Sequence, residues 1–403
     1  MVGLAASFAL GQAAIPTSNV PGTQATPAAP MVVTFPNPSV FLSPYNWRVP
    51  GDGTIWAPSP GGPYFKFSVT GTTKILVNVD TGINAGVYAT DMPTLKVVID
   101  DIPTAFVQLG ASATQVTLAS GLTTGSHTVL AYAVLGGDVK NDDWSKPTAQ
   151  MHIQSLQFDA GSTLSPYPTI YRKNCLIFGD SFLASYFGEA YTPGTTPYYS
   201  VVDPSLSWAV QLSPAIGCEI GVVAIGGSGY LQPGGWGYPP LSGYWNQYDS
   251  THPRNFSPAP DYTINAAGIN DHRIINDHNK FSDSEVETAV RSWLTAARAT
   301  LPNTKIFFFI PVGGEATDED GTGGANATQI RDAVKAGGDA NVFLIDSGTQ
   351  LVSADNWGTP SWFAPNDGIH PAEAGHNALA AIAIQQMRKA IISETPVPKP
   401  EAR

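Results

Sequence analysis

Five near-continuous apolar runs constrain the second half of this chain more than any other feature. They are "CLIFGD", "EIGVVAIGG", "YTINAAG", "KIFFFIPV" and "NVFLID", spread over residues 175–346. Runs of this length without polar alternation are what parallel strands covered on both faces look like. Helical patterns lie between and after them. "SDSEVETAVRSWLTAARATLP" reads as a helix with a capping box on Ser284 and Glu287 that stops before Pro302. "NATQIRDAVKAGG" starts at an Asn326 cap and ends at Gly337 and Gly338, and "PAEAGHNALAAIAIQQMRKAI" closes the segment. The alternation predicts an α/β architecture with an open, doubly wound parallel sheet.

The first half has a different texture. Residues 1–35 are rich in Ala, Pro, Thr and Gly, without periodicity, and read as a flexible arm. Its opening, "MVGLAASFALGQAAIP", lacks the basic start of a secretory leader. From Pro36 to Pro168 come short β-rich runs: "YFKFSVTG", "KILVNVDTG", "LKVVIDDIP", "AFVQL", "TQVTLASG", "HTVLAYAVLGG" and "AQMHIQSLQFDAG". Gly, Pro, Asp and Thr separate them and no helix is legible, which predicts an all-β sandwich. Residues 162–173 read as the hinge. The expected organisation is thus arm 1–35, sandwich 36–168, α/β domain 169–394 and tail 395–403.

Only 13% of residues are charged, while Gly (40) and Pro (34) abound, which suits a loop-rich extracellular protein. A formal net charge of −12 argues against nucleic acid and anionic membranes as partners, and against acidic polymers unless a local basic site compensates. No apolar run is long enough to span a bilayer. Cys175 and Cys218 are the two cysteines. Buried free thiols are the expectation; one bridge is the alternative, since both sit near the starts of adjacent strands.

Ligands of doubly wound sheets bind beyond the carboxyl ends of the strands. Polar, glycine-rich segments stand there: "GDS" (179–181), "IGGSG" (225–229), "AGIND" (267–271) and, after the fifth strand, "PNDGIHP" (365–371). Alone, Ser181 reads first as a turn or cap serine. Together these segments fill every role of acyl transfer. Ser181 is the nucleophile and His370 its base. Asp367, three residues before His370, can hold the imidazole in its tautomer. The Ser181 and Gly229 N–H groups and the Asn270 amide can serve the oxyanion.

In this order the four segments resemble the sequence blocks of the GDSL, or SGNH, hydrolase superfamily, over residues 173–393. The resemblance implies a flavodoxin-like sheet, the triad Ser181, Asp367 and His370, an oxyanion hole of Ser181, Gly229 and Asn270, and neither metal nor other cofactor. "FLSPYNWRV", "GGPYFKFSVTGTTKILVNVDT" and "VVIDDIP" look like the jelly-roll-like sandwich preceding the hydrolase domain of carbohydrate esterase family 2. That implies removal of O-acetyl groups from a polysaccharide.

Tyr230, Trp236, Tyr238, Tyr244, Trp245 and Tyr248 crowd the insert after Gly229, and Trp357, Trp362 and Phe363 precede Asp367. Tyr230, Trp236, Trp245 and Trp362 are candidate sugar contacts, with loop core as the alternative. His272 and His278, near Asp271 and Asp277, match no zinc spacing, and "DEDGTGG" (318–324) lacks the glutamate of a calcium loop. Two rival readings are a lipase or thioesterase of the same superfamily and a non-enzymatic glycan-binding or virion-associated protein. No paired carboxylates suggest a glycosidase, no GxSxG an α/β-hydrolase, and no GxxxxGK[ST] a nucleotide hydrolase.

Overall fold

All seven β-rich runs of the first half become strands, and their apolar faces meet in one core that holds Phe65, Phe67, Val77, Val129, Ile153 and Phe158. The computed structural model describes residues 28–136, 143–145, 148–184, 192, 194–272, 274–275, 278–279, 281–310, 326–346 and 370–392. In the sandwich, one antiparallel sheet runs Met31–Val33, Met151–Phe158, Lys74–Val79, Gln115–Ser120, with Ile55–Ala57 also paired to Met151–Phe158. The other runs Thr163–Ser165, Tyr64–Thr70, Ser126–Val134, Thr94–Ile99, Ile102–Gln108, with Phe41–Leu42 beside Tyr64–Thr70. The short strands carried too little pattern to be read from sequence. Met31–Val33 lies inside the stretch expected to be an arm, and pairs with Leu156–Phe158. Thr163–Ser165 lies inside the expected hinge, and pairs with Ser68–Thr70.

In the second half β1 (Lys173–Gly179), α1 (Trp208–Ile216), β2 (Cys218–Ala224), β3 (Tyr262–Ala266), α2 (Asp283–Thr300), β4 (Lys305–Phe309), α3 (Ala327–Gly337), β5 (Val342–Ile345) and α4 (Glu373–Ile392) follow in order. The strands form one parallel sheet in the order β2-β1-β3-β4-β5, the flavodoxin-like arrangement. Side chains alternate along β1. Leu176 and Phe178 pack toward α2 and α3, Cys175 and Ile177 toward α1 and α4. Burial on both faces explains the unbroken apolar runs.

Two expectations are corrected, and one helix was not foreseen. Cys175 and Cys218 form a disulfide, because the parallel register of β1 and β2 sets their Cα atoms 6.0 Å apart. The capping box of α2 is Ser282 and Glu285, two residues earlier than read: the Glu285 carboxylate accepts from the Ser282 N–H at 2.8 Å. Helix α1 escaped the sequence reading because Pro214 interrupts its pattern, although the Ser207 cap and the left-handed Gly217 bound it.

The two halves are locked by polar contacts. Lys66 of the sandwich meets Glu219 of β2 at 2.6 Å, both buried. Glu219 also accepts from the Tyr64 hydroxyl at 2.6 Å and the Tyr171 N–H at 2.8 Å. At Gly221 the Pro44 carbonyl oxygen lies 1.9 Å from where a Cβ would stand, so only glycine lets the backbones approach.

Candidate active site

The first strand delivers Ser181. Beyond Gly179 the chain turns, with the Leu183 and Ala184 N–H groups donating to the Asp180 carbonyl at 3.0 and 3.2 Å. Asp180 points inward, accepts from the Phe182 N–H at 3.0 Å and is buried, so its carboxyl is pushed up to about 7. The nearby Asp271 charge adds to that shift. Ser181 stays half-buried at the surface of this turn. His370, just before α4, brings Nε2 to 2.8 Å from Ser181 Oγ, with its ring 5.7 Å from that of Phe182. The hydroxyl and the imidazole that the sequence pairs as nucleophile and base, 189 residues apart, are thus in hydrogen-bond contact.

Asn270, in the turn after β3, reaches the same edge. Its Nδ2 donates to the Ser228 carbonyl at 2.9 Å and to Asp180 Oδ2 at 3.3 Å. The topological switch lies between β1 and β3, so Ser181 and Asn270 occupy the place where such sheets bind ligands.

Gly229 behaves otherwise than expected. Its N–H donates to the Gln232 carbonyl at 2.9 Å. A Cβ on it would stand 2.4 Å from Asp271 Oδ2. The buried Asp271 carboxylate instead gathers the N–H groups of Tyr230, Leu231 and Gln232 at 2.7, 2.8 and 2.9 Å. This residue ties the loop after β2 to the turn after β3, and its oxygens are occupied by backbone rather than aimed outward. Sequence reasoning weighed Asp271 only as a metal neighbour. Its signal was its place, directly after Asn270 and facing a glycine-rich loop.

The aromatic insert divides. Tyr230 and Trp245 are 2% exposed and belong to the core, where Trp245 packs edge-on to Phe178 and Trp293. They are corrected from sugar contacts to packing, since the insert folds back over α2. Trp236 is half-buried and left-handed (φ 57°), with its carbonyl accepting from the Asp143 N–H of the sandwich at 3.0 Å. Its ring lies 3.8 Å from where a Gly226 Cβ would be, two residues beyond β2 as Ser181 is beyond β1. Asp367, Trp357, Trp362, Phe363 and residues 318–324 lie outside the described residues.

His376 supports the site from below. Fully buried, its Nδ1 accepts from the Trp208 N–H at 3.3 Å, joining α4 to the first turn of α1. Burial, helped by neighbouring His370, lowers its pKa to about 4. Unfolded, the same group takes up a proton near pH 6.5. Stability carried by neutral His376 is therefore complete above about pH 6.5 and lost as pH falls toward 4, by about 3 kcal/mol. Urea unfolding across that window is expected to show this slope, and His376→Gln to flatten it.

A strand-end serine bonded to a histidine, beside an asparagine at the switch point of a flavodoxin-like sheet, defines an acyl-transfer hydrolase. Residues 177–378 match the GDSL-like lipase/acylhydrolase family, and the chain belongs to it. It is a carboxylic ester hydrolase. No curated protein matches the chain. Solved structures do. A family two carbohydrate esterase from Cellvibrio japonicus superposes with a TM-score of 0.69 at 15% identity, covering 91% of this chain and 99% of that one. One from Clostridium thermocellum, in complex with cellohexaose, gives 0.68 at 15% identity, covering 87% and 99%. Est2A, an acetyl xylan esterase from the rumen bacterium Butyrivibrio proteoclasticus, gives 0.66 at 13% identity, covering 91% and 99%. The likeness spans both domains, so the sandwich-plus-hydrolase architecture is common to all of them.

Proposed function

We propose that the protein is a serine esterase that removes O-acetyl groups from a carbohydrate or polysaccharide. The observation that carries this reading is the 2.8 Å contact between Ser181 Oγ and His370 Nε2. As Oγ attacks the acetyl carbonyl, its proton passes to Nε2, and the carbonyl oxygen takes up the negative charge. The Ser181 N–H and the Asn270 amide are assigned to that oxyanion, the amide turning one N–H to it from its longer, 3.3 Å contact with Asp180 Oδ2. The Gly229 N–H, held by the Gln232 carbonyl, is not. A carboxyl at Asp180 that ionises only near pH 7 keeps negative charge away from the oxyanion below that pH. His370 then returns the proton to the departing sugar oxygen. Water, activated by the same imidazole, attacks the acetyl-enzyme and frees acetate and Ser181. Asp367 is assigned to orient His370 Nδ1.

The carbohydrate part of the reading is supported by the neighbours: one is an acetyl xylan esterase and another was solved with cellohexaose. Trp236, strained and half-exposed beside Gly226, is the ring we assign to a sugar face. The Cys175–Cys218 bridge supports an extracellular location.

The test is acetate release from acetylated xylan, glucomannan and pectin, set beside hydrolysis of nitrophenyl esters of rising chain length. The expected result is acetate from at least one polymer and a preference for acetyl over long acyl chains. Preference for octanoyl or longer esters, with no acetate from any polymer, would favour the lipase reading instead.

A further inference from the structure

A cleft of about 460 Å³ opens between the two domains, far from Ser181. The sandwich lines it with residues from Phe41 to Val49, and the hydrolase domain with Asn174 and part of the 248–258 segment. Asn174 is the second residue of β1, whereas Ser181 lies just past its other end. At the rise of a strand, the separation is about 20 Å. Nothing bound here can be the ester under attack, yet the volume falls within the range of small-ligand sites.

The lining combines three chemistries. Tyr45, Trp47 and Tyr248 form a buried aromatic floor, with Phe41 half-exposed at the side. Asn174 and Asn255 supply amides at the rim. The third element is positive charge. Arg48, half-buried, places its guanidinium carbon 5.5 Å from the Trp56 ring and forms no ion pair among the described residues. Directly under the floor lies Arg254, 5% exposed. Its guanidinium donates to the carbonyls of Trp245 (3.2 Å), Gln247 (2.6 Å) and Tyr45, and sits 4.7 Å from the Tyr248 ring. It too has no carboxylate partner among the described residues. Burial brings its pKa down to about 10, so it is charged at neutral pH. The nearby acids are engaged elsewhere. Beside Arg48, Asp52 accepts from the Thr54 N–H and hydroxyl at 3.0 and 2.7 Å, and Asp80 accepts from the Gly82 N–H at 2.8 Å and lies 3.4 Å from the His152 ring. Asp249 is bound to the N–H groups of Thr251 and His252 and to the His252 ring, and Asp261 accepts the Asn174 N–H at 2.9 Å.

On a chain of net charge −12, two arginines without carboxylate partners among the described residues, one in a cleft wall and one under its floor, mark a local preference for an anion. Aromatic surface and side-chain amides beside a guanidinium suit a sugar that carries a carboxylate. We propose that this cleft is a second, non-catalytic binding site for a uronate-bearing oligosaccharide, whose carboxylate pairs with Arg48 while a sugar ring rests on the aromatic floor. The proposal does not rest on the ester chemistry at Ser181. It would let the enzyme hold an acidic glycan at one end of the sheet while the opposite edge remains free.

Titration calorimetry on the full chain tests it with probes that contain no ester: xylotetraose carrying one glucuronate, and plain xylotetraose. The glucuronate form is expected to bind at least about tenfold more tightly, the worth of one charge-assisted contact. Arg48→Gln should erase that advantage, Arg48→Lys should keep part of it, and added salt should weaken it. Should Arg48→Gln lower the thermal midpoint, Asn255→Asp on the exposed rim serves in its place. Its new negative charge should weaken the glucuronate form alone. Binding at the Ser181 edge would respond to neither substitution. Equal affinity for the two probes, or indifference of the glucuronate form to the rim variants, would overturn the proposal. So would sedimentation showing that a second copy of the chain fills the cleft.

Discussion

Ser181→Ala is expected to lower ester hydrolysis by about 10⁴-fold or more while leaving the unfolding midpoint unchanged. The loss follows from removing the hydroxyl that stands 2.8 Å from His370 Nε2 and to which the proposed mechanism assigns the acyl-enzyme. The unchanged midpoint follows from the turn itself. Its bonds run from the N–H groups of Leu183 and Ala184 to the Asp180 carbonyl and from the Phe182 N–H to the Asp180 carboxylate, and none uses the serine side chain. His370→Gln should fall into the same activity range, because nucleophile and base act as a unit and their effects do not add. Initial rates with nitrophenyl acetate, measured beside thermal unfolding, separate the chemical effect from a structural one. A Ser181→Ala enzyme retaining a tenth of wild-type turnover would mean that another group does the chemistry.

Glu219→Ala is expected to be the most destabilising single change at the domain junction, costing about 3–5 kcal/mol. The substitution strands Lys66, whose Nζ lies 2.6 Å from the Glu219 carboxylate and, among the described residues, otherwise donates only to the Thr169 carbonyl. It also strips the acceptor from the Tyr64 hydroxyl and the Tyr171 N–H. Burial already lowers the Lys66 pKa, so removing the countercharge favours its neutral form further. Replacing both partners with apolar residues, Lys66→Met with Glu219→Leu, should recover much of the loss, because no charge is left buried alone. Urea unfolding of the single and double variants reads both effects. A Glu219→Ala protein as stable as the wild type would show that the pair does not hold the domains together.

Much of this was legible from residue patterns, and the reasons are physical. The five parallel strands declared themselves because burial on both faces leaves few polar positions in each run, and none at Cys175–Phe178. That Ser181, Asn270 and His370 meet at one edge was legible because the segments beyond the carboxyl ends of such strands converge, whatever their separation along the chain. What escaped depends on contacts between distant segments. The strand Met31–Val33 is defined by its partner, Leu156–Phe158, and has no pattern of its own. The disulfide depends on the β1–β2 register. Gly229 looked like an oxyanion donor in sequence, and only the position of Asp271 explains the glycine there. Tyr230 and Trp245 looked like surface aromatics because Gly and Pro surround them, yet the insert folds them into the core.

The central claim, that Ser181 is the residue acylated during turnover, is tested most directly by covalent labelling with a fluorophosphonate ester followed by peptide mass spectrometry. The account predicts one phosphonyl group per chain, on Ser181, with labelling abolished by His370→Gln because the hydroxyl then lacks its base. Label on any other residue, or full esterase activity surviving stoichiometric labelling of Ser181, would contradict it.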